Sequence, residues 1–247
     1  MTYEVLGSGA PALMFVHGWS CDRSYWRHQL SHFSRSHMVV ALDLAGHGAS
    51  GTGRADWTIA AFGRDVIAVA EQLRLGQVVL IGHSMGGDVI VDATPQLAGP
   101  VLGLVWADVY NTLEEPLTDA EIEEFATPFR EDFPATTRAF VMGMFVPGSD
   151  PELVEWVAAD MSSAPPEIAL GCLQHSASNG RVIGGALQEL TAPVVAINPD
   201  YRPTDIDSLQ RYGVETVLMS GVGHFEMMDD PDTFNQLLAR AIEQFPA

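Results

Sequence analysis

Residues 77–91 read Gln77-Val78-Val79-Leu80-Ile81-Gly82-His83-Ser84-Met85-Gly86-Gly87-Asp88-Val89-Ile90-Val91. An apolar, β-branched run meets a glycine-flanked turn, and a second apolar segment leaves it. The pattern predicts a buried strand, a sharp elbow and a helix. A turn this tight strains the backbone at Ser84, so the residues two before and two after it must be small, as Gly82 and Gly86 are. The elbow lifts the Ser84 hydroxyl to the end of a sheet. The Met85 N–H, at the start of the helix, faces the same space as a donor to a developing oxyanion.

The same alternation extends both ways from this stretch. Upstream, strands are expected at Tyr3–Leu6, Ala12–Val16 and Met38–Leu42, with helices at Cys21–Phe33 and Ile59–Leu73. Downstream, Val101–Ala107 is a strand with Asp108 at its end, and strands return at Pro193–Ile197 and Glu215–Met219. Helices follow at Asp205–Arg211 and Pro231–Phe245, the latter amphipathic. Strands apolar on both faces imply an α/β fold whose mostly parallel central sheet is flanked by helices. In such sheets ligands bind beyond the carboxyl ends of the strands. Between Asn111 and Gly185 the pattern changes to proline-punctuated helices near 118–132, 135–145, 151–162 and 166–176. This segment reads as a lid, giving a core of residues 1–110 and 186–247 and a helical cap of 111–185.

Composition narrows the partners. Formal charge is −20, and all 12 basic residues are arginine. So acidic a chain is a poor match for nucleic acid or an anionic membrane surface. The 47% hydrophobic content supports a large core. No apolar run approaches the roughly 20 residues that span a bilayer, and the first residues carry no secretion signal. The expectation is a soluble cytoplasmic protein, monomeric or homodimeric, acting on a small molecule. Cys21 and Cys172 lie far apart and are expected to be free thiols. Histidine spacing suggests no metal site, and no cofactor is implied.

Four stretches carry a resemblance: His17-Gly18-Trp19, Asp43-Leu44-Ala45-Gly46-His47-Gly48, Gly82-His83-Ser84-Met85-Gly86-Gly87, and Gly221-Val222-Gly223-His224-Phe225 followed by Asp230-Pro231. In this order they resemble the α/β-hydrolase fold family, with its usual first strand missing and the lid between its sixth and seventh strands. The resemblance implies Ser84 as nucleophile and His224 as base. A serine hydroxyl is a weak nucleophile until an adjacent imidazole takes its proton. It also implies a second oxyanion donor at the Trp19 N–H, paired with Met85. The His17-Gly18-Trp19 triplet is similar to that of cofactor-free perhydrolases and esterases. His47 is expected to serve its own turn, and His83 to pack beside the elbow.

The triad's acid departs from the family pattern. Its usual place follows the Pro193–Ile197 strand, where this chain has Asn198-Pro199-Asp200-Tyr201-Arg202-Pro203-Thr204-Asp205. Asp200 falls short of the aligned position, Arg202 occupies it and Asp205 overshoots. Some members carry the acid at the end of the preceding strand, where Asp108 stands. Asp108 is the favoured candidate, with Asp205 and Asp200 as alternatives.

The resulting expectation is a serine hydrolase cleaving a small or medium carboxylic ester, thioester or lactone through an acyl-enzyme on Ser84. Trp19 and the insert residues Phe140, Met144, Phe145 and Trp156 are candidates for the substrate pocket. A carbon–carbon bond hydrolase or a perhydrolase could use the same triad, and a non-catalytic receptor could use the same scaffold. Dehalogenases and epoxide hydrolases of this fold place an aspartate where Ser84 stands. The plant-type hydroxynitrile lyases use a lysine, and this chain has none.

Overall fold

The computed structural model describes residues 1–246. Seven strands form one sheet: β1 (Thr2–Leu6), β2 (Ala12–Val16), β3 (Val39–Asp43), β4 (Val78–His83), β5 (Val101–Ala107), β6 (Val194–Pro199) and β7 (Val214–Met219). Their spatial order is β1-β3-β2-β4-β5-β6-β7. Only the edge strand β1 runs antiparallel, against β3, and every other pairing is parallel. Strands β2, β3, β4 and β6 are buried at every position, as the continuous apolar runs require.

Helices cover both faces. In chain order they are α1 (Arg27–Phe33), α2 (Ile59–Leu73), α3 (Met85–Ala93), α4 (Asp119–Glu131), α5 (Phe133–Met142), α6 (Pro151–Ser162), α7 (Pro166–Asn179), α8 (Ile183–Glu189), α9 (Ile206–Arg211), α10 (Glu226–Asp229) and α11 (Pro231–Gln244). The single helix expected over Cys21–Phe33 is broken into a 3-10 turn, Arg23–Trp26, followed by α1. Asp22 caps the tight turn by accepting from the Ser24 N–H at 2.7 Å.

Helices α4–α8 occupy the chain between β5 and β6. Thr118 opens α4 with a reciprocal capping box to Glu121, and aspartates 132 and 150 cap α5 and α6. Two boundaries differ from the sequence reading. α5 stops at Met142, where the next N–H groups tighten onto carbonyls three residues back (Gly143 to Phe140, Met144 to Val141), and the Met144 carbonyl accepts from the His224 N–H at 2.8 Å. α8 runs across residue 185, where the cap was expected to end.

The insert is tied to the core by specific bonds. The Trp19 indole donates to the Ala169 carbonyl at 2.7 Å. Tyr25 Oη donates to Asp160 at 2.8 Å. An aromatic cluster of Trp19, Phe129, Phe133 and Phe140 fills the space between. Among the described residues, no helix is long and apolar enough to cross a membrane.

Candidate active site

Ser84 sits at the junction of β4 and α3 with φ 51° and ψ −123°, a strained conformation for a residue with a side chain. Its neighbours explain how the strain is tolerated. A Cβ on Gly82 would overlap the Gly86 carbonyl, and one on Gly86 would overlap the Val16 and His17 carbonyls. The elbow thus closes only with glycine at both places. Gly18 packs so tightly here that a Cβ would lie 3.1 Å from the Ser84 Cβ. That contact brings the chain at Gly18-Trp19 against the serine, beside the N-terminus of α3.

Asp108 follows β5 directly and also has a positive φ, 44°. Its N–H donates to the Ile197 carbonyl at 3.1 Å, so the backbone leaves the sheet at a defined point. His224 lies in the loop after β7. Its Nδ1 is 2.6 Å from Asp108 Oδ2, and the two side chains are nearly buried. The loop is clamped at both ends: the His224 N–H reaches the Met144 carbonyl, and its own carbonyl accepts from His83 Nε2 at 2.9 Å. Gly223 is needed because a Cβ there would run into the Met144 carbonyl.

The other two acid candidates lie elsewhere. Asp205 caps α9, accepting from the Ser208 N–H at 2.9 Å. Asp200 accepts from the Gly221 N–H at 3.2 Å and holds the turn that leads to His224. Both are exposed.

Ser84, Asp108 and His224 border one cavity of about 260 Å³. Trp19, Phe125, Phe140, Met144, Met161, Leu173 and Phe225 supply its apolar wall, and Tyr201 and Arg202 its rim. No hydrogen bond joins Ser84 to His224 among the described residues; such bonds often tighten only around bound substrate. Of the four insert residues expected in the pocket, Phe140 and Met144 line it. Phe145 does not: it stacks on Phe225 at 5.2 Å, beneath the His224 loop. Trp156 does not either; it packs on Tyr25 and under the Arg27 guanidinium. Helical spacing marks an apolar face, and neighbouring elements decide what that face meets.

Three buried histidines, His17, His47 and His83, are structural. His17 Nε2 accepts from the Leu44 N–H at 3.0 Å while Nδ1 donates to the Gly18 carbonyl. Burial pulls its pKa down to about 4, so the neutral ring serves both bonds. His47 bonds within its own turn and is held at about 3 by burial, with His17 beside it. Burial lowers His83 far below the usual imidazole value, and the neighbouring His224 adds to this. His83 therefore anchors the loop as a neutral ring.

Sequence reasoning missed three groups. Tyr201 Oη donates to Asp108 Oδ2 at 3.3 Å, which adds a second donor to the acid. Glu226 is fully buried two residues after His224, and neither carboxyl oxygen has a partner in the protein. Burial first, and then the Asp108 charge, push its pKa well up, so it is neutral. Its signal was a lone carboxylate in an apolar run. Asp88, in the first turn of α3, is buried with Tyr110 and has its own weak signal, a charge inside the apolar segment after the elbow.

A family model described as "Alpha/beta hydrolase family" matches residues 13–237. The chain belongs to the alpha/beta hydrolase family. A 3-oxoadipate enol-lactonase 2 from Acinetobacter baylyi is 26% identical over 265 residues, covering 99% of this chain and 94% of that protein. The Karrikin insensitive 2 receptor CA of Petunia hybrida is 23% identical, with coverage of 97% and 94%. Among solved structures, a hydrolase from Oleispira antarctica superposes with a TM-score of 0.86 at 16% identity, covering 98% of this chain and 94% of that one. As a hydrolase-fold enzyme, the chain has a mostly parallel sheet, a serine at the elbow after β4, and an Asp108–His224 pair at the end of β5.

Proposed function

We propose that this alpha/beta hydrolase cleaves a small or medium carboxylic ester, thioester or lactone through an acyl-enzyme on Ser84. The observation that carries the reading is the 2.6 Å pairing of His224 Nδ1 with Asp108 in the cavity that Ser84 borders. That bond assigns the proton to Nδ1 and leaves Nε2 free to accept from the serine. Ser84 attacks the carbonyl as His224 takes its proton. The N–H groups of Met85 and Trp19 receive the oxyanion. His224 then gives the proton to the leaving oxygen or sulfur, and water attacks the acyl-enzyme by the same relay. The residues 111–185 act as a lid: Phe140 and Met144 close the cavity from above. Similarity to a protein named for enol-lactone hydrolysis agrees with a lactone or ester substrate.

The test combines a fluorophosphonate label with a series of p-nitrophenyl esters. The label is expected on Ser84, with loss of both labelling and turnover in Ser84→Ala. Labelling that survives this substitution overturns the nucleophile. The likeness to a receptor supports one other reading, ligand binding with negligible turnover. It predicts saturable binding of an ester without release of alcohol, which the same series measures.

A further inference from the structure

A second room opens from Ser84. It holds about 340 Å³ and is bordered by Ser84, Met85, Asp88, Tyr110, Asn111 and Ser176, among others. His224 and Asp108 border the aromatic cavity and are not part of this room's wall. The two spaces adjoin along Ser84, Val109, Asn111, Leu117, Ser176 and Ala177 and differ in the rest of their walls.

Asp88 stands one helical turn beyond Ser84 and is only 3% exposed. Its Oδ1 accepts from Tyr110 Oη at 2.8 Å, and Ser176 Oγ lies 3.5 Å from Oδ2. A carboxyl group buried here is costly unless it is hydrogen-bonded, and the Tyr110 and Ser176 hydroxyls supply such bonds from the same wall. Its neighbours on α3, Gly87, Val89, Ile90 and Val91, show that packing alone is satisfied by apolar residues. Glu115 adds a second carboxylate to the wall, and no arginine borders the room. The surface offered to a ligand is thus rich in hydrogen-bonding oxygens and carries no cationic group.

Geometry divides the substrate between the two spaces. The leaving group must take its proton from His224, so it departs through the aromatic cavity. The other substituent of the carbonyl then points into the room that His224 does not border. We propose that this room is the acyl subsite, where Asp88, with Tyr110 and Ser176, selects acyl groups carrying a hydroxyl or ammonium donor near the carbonyl and rejects those carrying a carboxylate. The assignment rests on Ser84 as nucleophile. A site built to bond a substrate hydroxyl discriminates strongly against the analogue without it, because its own polar groups are left unpaired.

The experiment compares benzyl esters, whose leaving group suits the aromatic cavity. Benzyl 3-hydroxybutanoate is expected to exceed benzyl butanoate about tenfold in kcat/KM, and the benzyl monoester of succinic acid to fall below both. In Asp88→Asn the hydroxyl preference shrinks to about twofold and the succinate ester gains. Moving the hydroxyl to the alcohol side, as in 3-hydroxybutyl phenylacetate, is expected to remove the dependence on Asp88. Gly180→Leu gives an independent arm if Asp88→Asn does not fold. The nearest atoms to a Cβ at Gly180 belong to Pro116 and Tyr110, 3.7 Å away at ordinary contact distance, so a larger side chain enters the room without a clash at its base. It is expected to lower the butanoyl-to-acetyl ratio. Ratios unchanged in both variants, or changes that follow the alcohol instead of the acyl group, overturn the subsite while turnover of benzyl acetate persists. A wild-type protein that neither takes the fluorophosphonate label nor cleaves benzyl acetate overturns the Ser84 reading, and the subsite with it.

Discussion

At the scale of single residues, the three candidate aspartates have separate tasks. Asp108 bonds the imidazole, Asp205 caps a helix and Asp200 holds a turn. Asp108→Asn is therefore expected to lower kcat by about 10³–10⁴-fold, since the amide stabilises the wrong tautomer and no longer offsets the imidazolium charge. Asp205→Asn and Asp200→Asn should stay within about twofold in kcat, because asparagine still caps and still accepts a hydrogen bond. Steady-state kinetics on one ester compares all three. Asp88 makes a second prediction. Burial pushes its carboxyl up to about 7, against 3.8 when exposed to water. The folded state then holds the proton that the unfolded state releases, so this group's contribution falls as pH rises from about 4 through 7. Relative to Asp88→Asn, the wild type should lose roughly 2–3 kcal/mol of unfolding free energy between pH 5 and 8. Urea melts at the two pH values measure the difference, and a wild type that gains stability relative to Asp88→Asn as pH rises contradicts the assignment.

At the scale of elements, the strand–elbow–helix unit was legible because its constraint is local. Backbone collisions across a five-residue turn demand glycine, whatever the rest of the fold does. Gly86→Ala should accordingly cost about 2–4 kcal/mol and most of the activity, because its Cβ meets carbonyl oxygens that belong to a buried strand end. Denaturant midpoints and ester turnover would fall together; a stable, fully active Gly86→Ala would show that the loop relaxes. The cap helices were legible as helices but not in their orientation. Trp156 on α6 and Phe145 just past α5 read as apolar like Phe140 and Met144, yet they pack on Tyr25 and Phe225 instead of lining the cavity. Periodicity reports that a face is apolar; the partner comes from segments far away in the chain.

At the scale of the whole molecule, charge is the dominant global property. Seven arginines pair with carboxylates, among them Arg23 with the buried Asp43 and Arg54 with Asp65. The net charge of −20 still leaves a large excess of negative surface. Self-repulsion of this kind is long-ranged and screened by salt, whereas the close ion pairs are individually weak. Raising NaCl from 10 mM to 0.5 M is expected to raise Tm by several °C. A fall in Tm would mean that the ion pairs outweigh the repulsion.

The order of strands and helices, the elbow and the serine at its apex follow from the sequence alone, because each depends on residues that are neighbours along the chain. The candidacy of His224, in a glycine-rich loop after a strand, comes from the resemblance to the family. Which carboxylate meets that imidazole is decided by tertiary structure. Asp108 and His224 are 116 residues apart, and only the adjacency of β5, β6 and β7 brings their ends together. The same holds for Tyr201, for the buried Glu226 and for the acceptor-lined room around Asp88. Local sequence dictates where the backbone bends; which side chains then share a cavity depends on how the sheet is ordered and on where the insert packs against it.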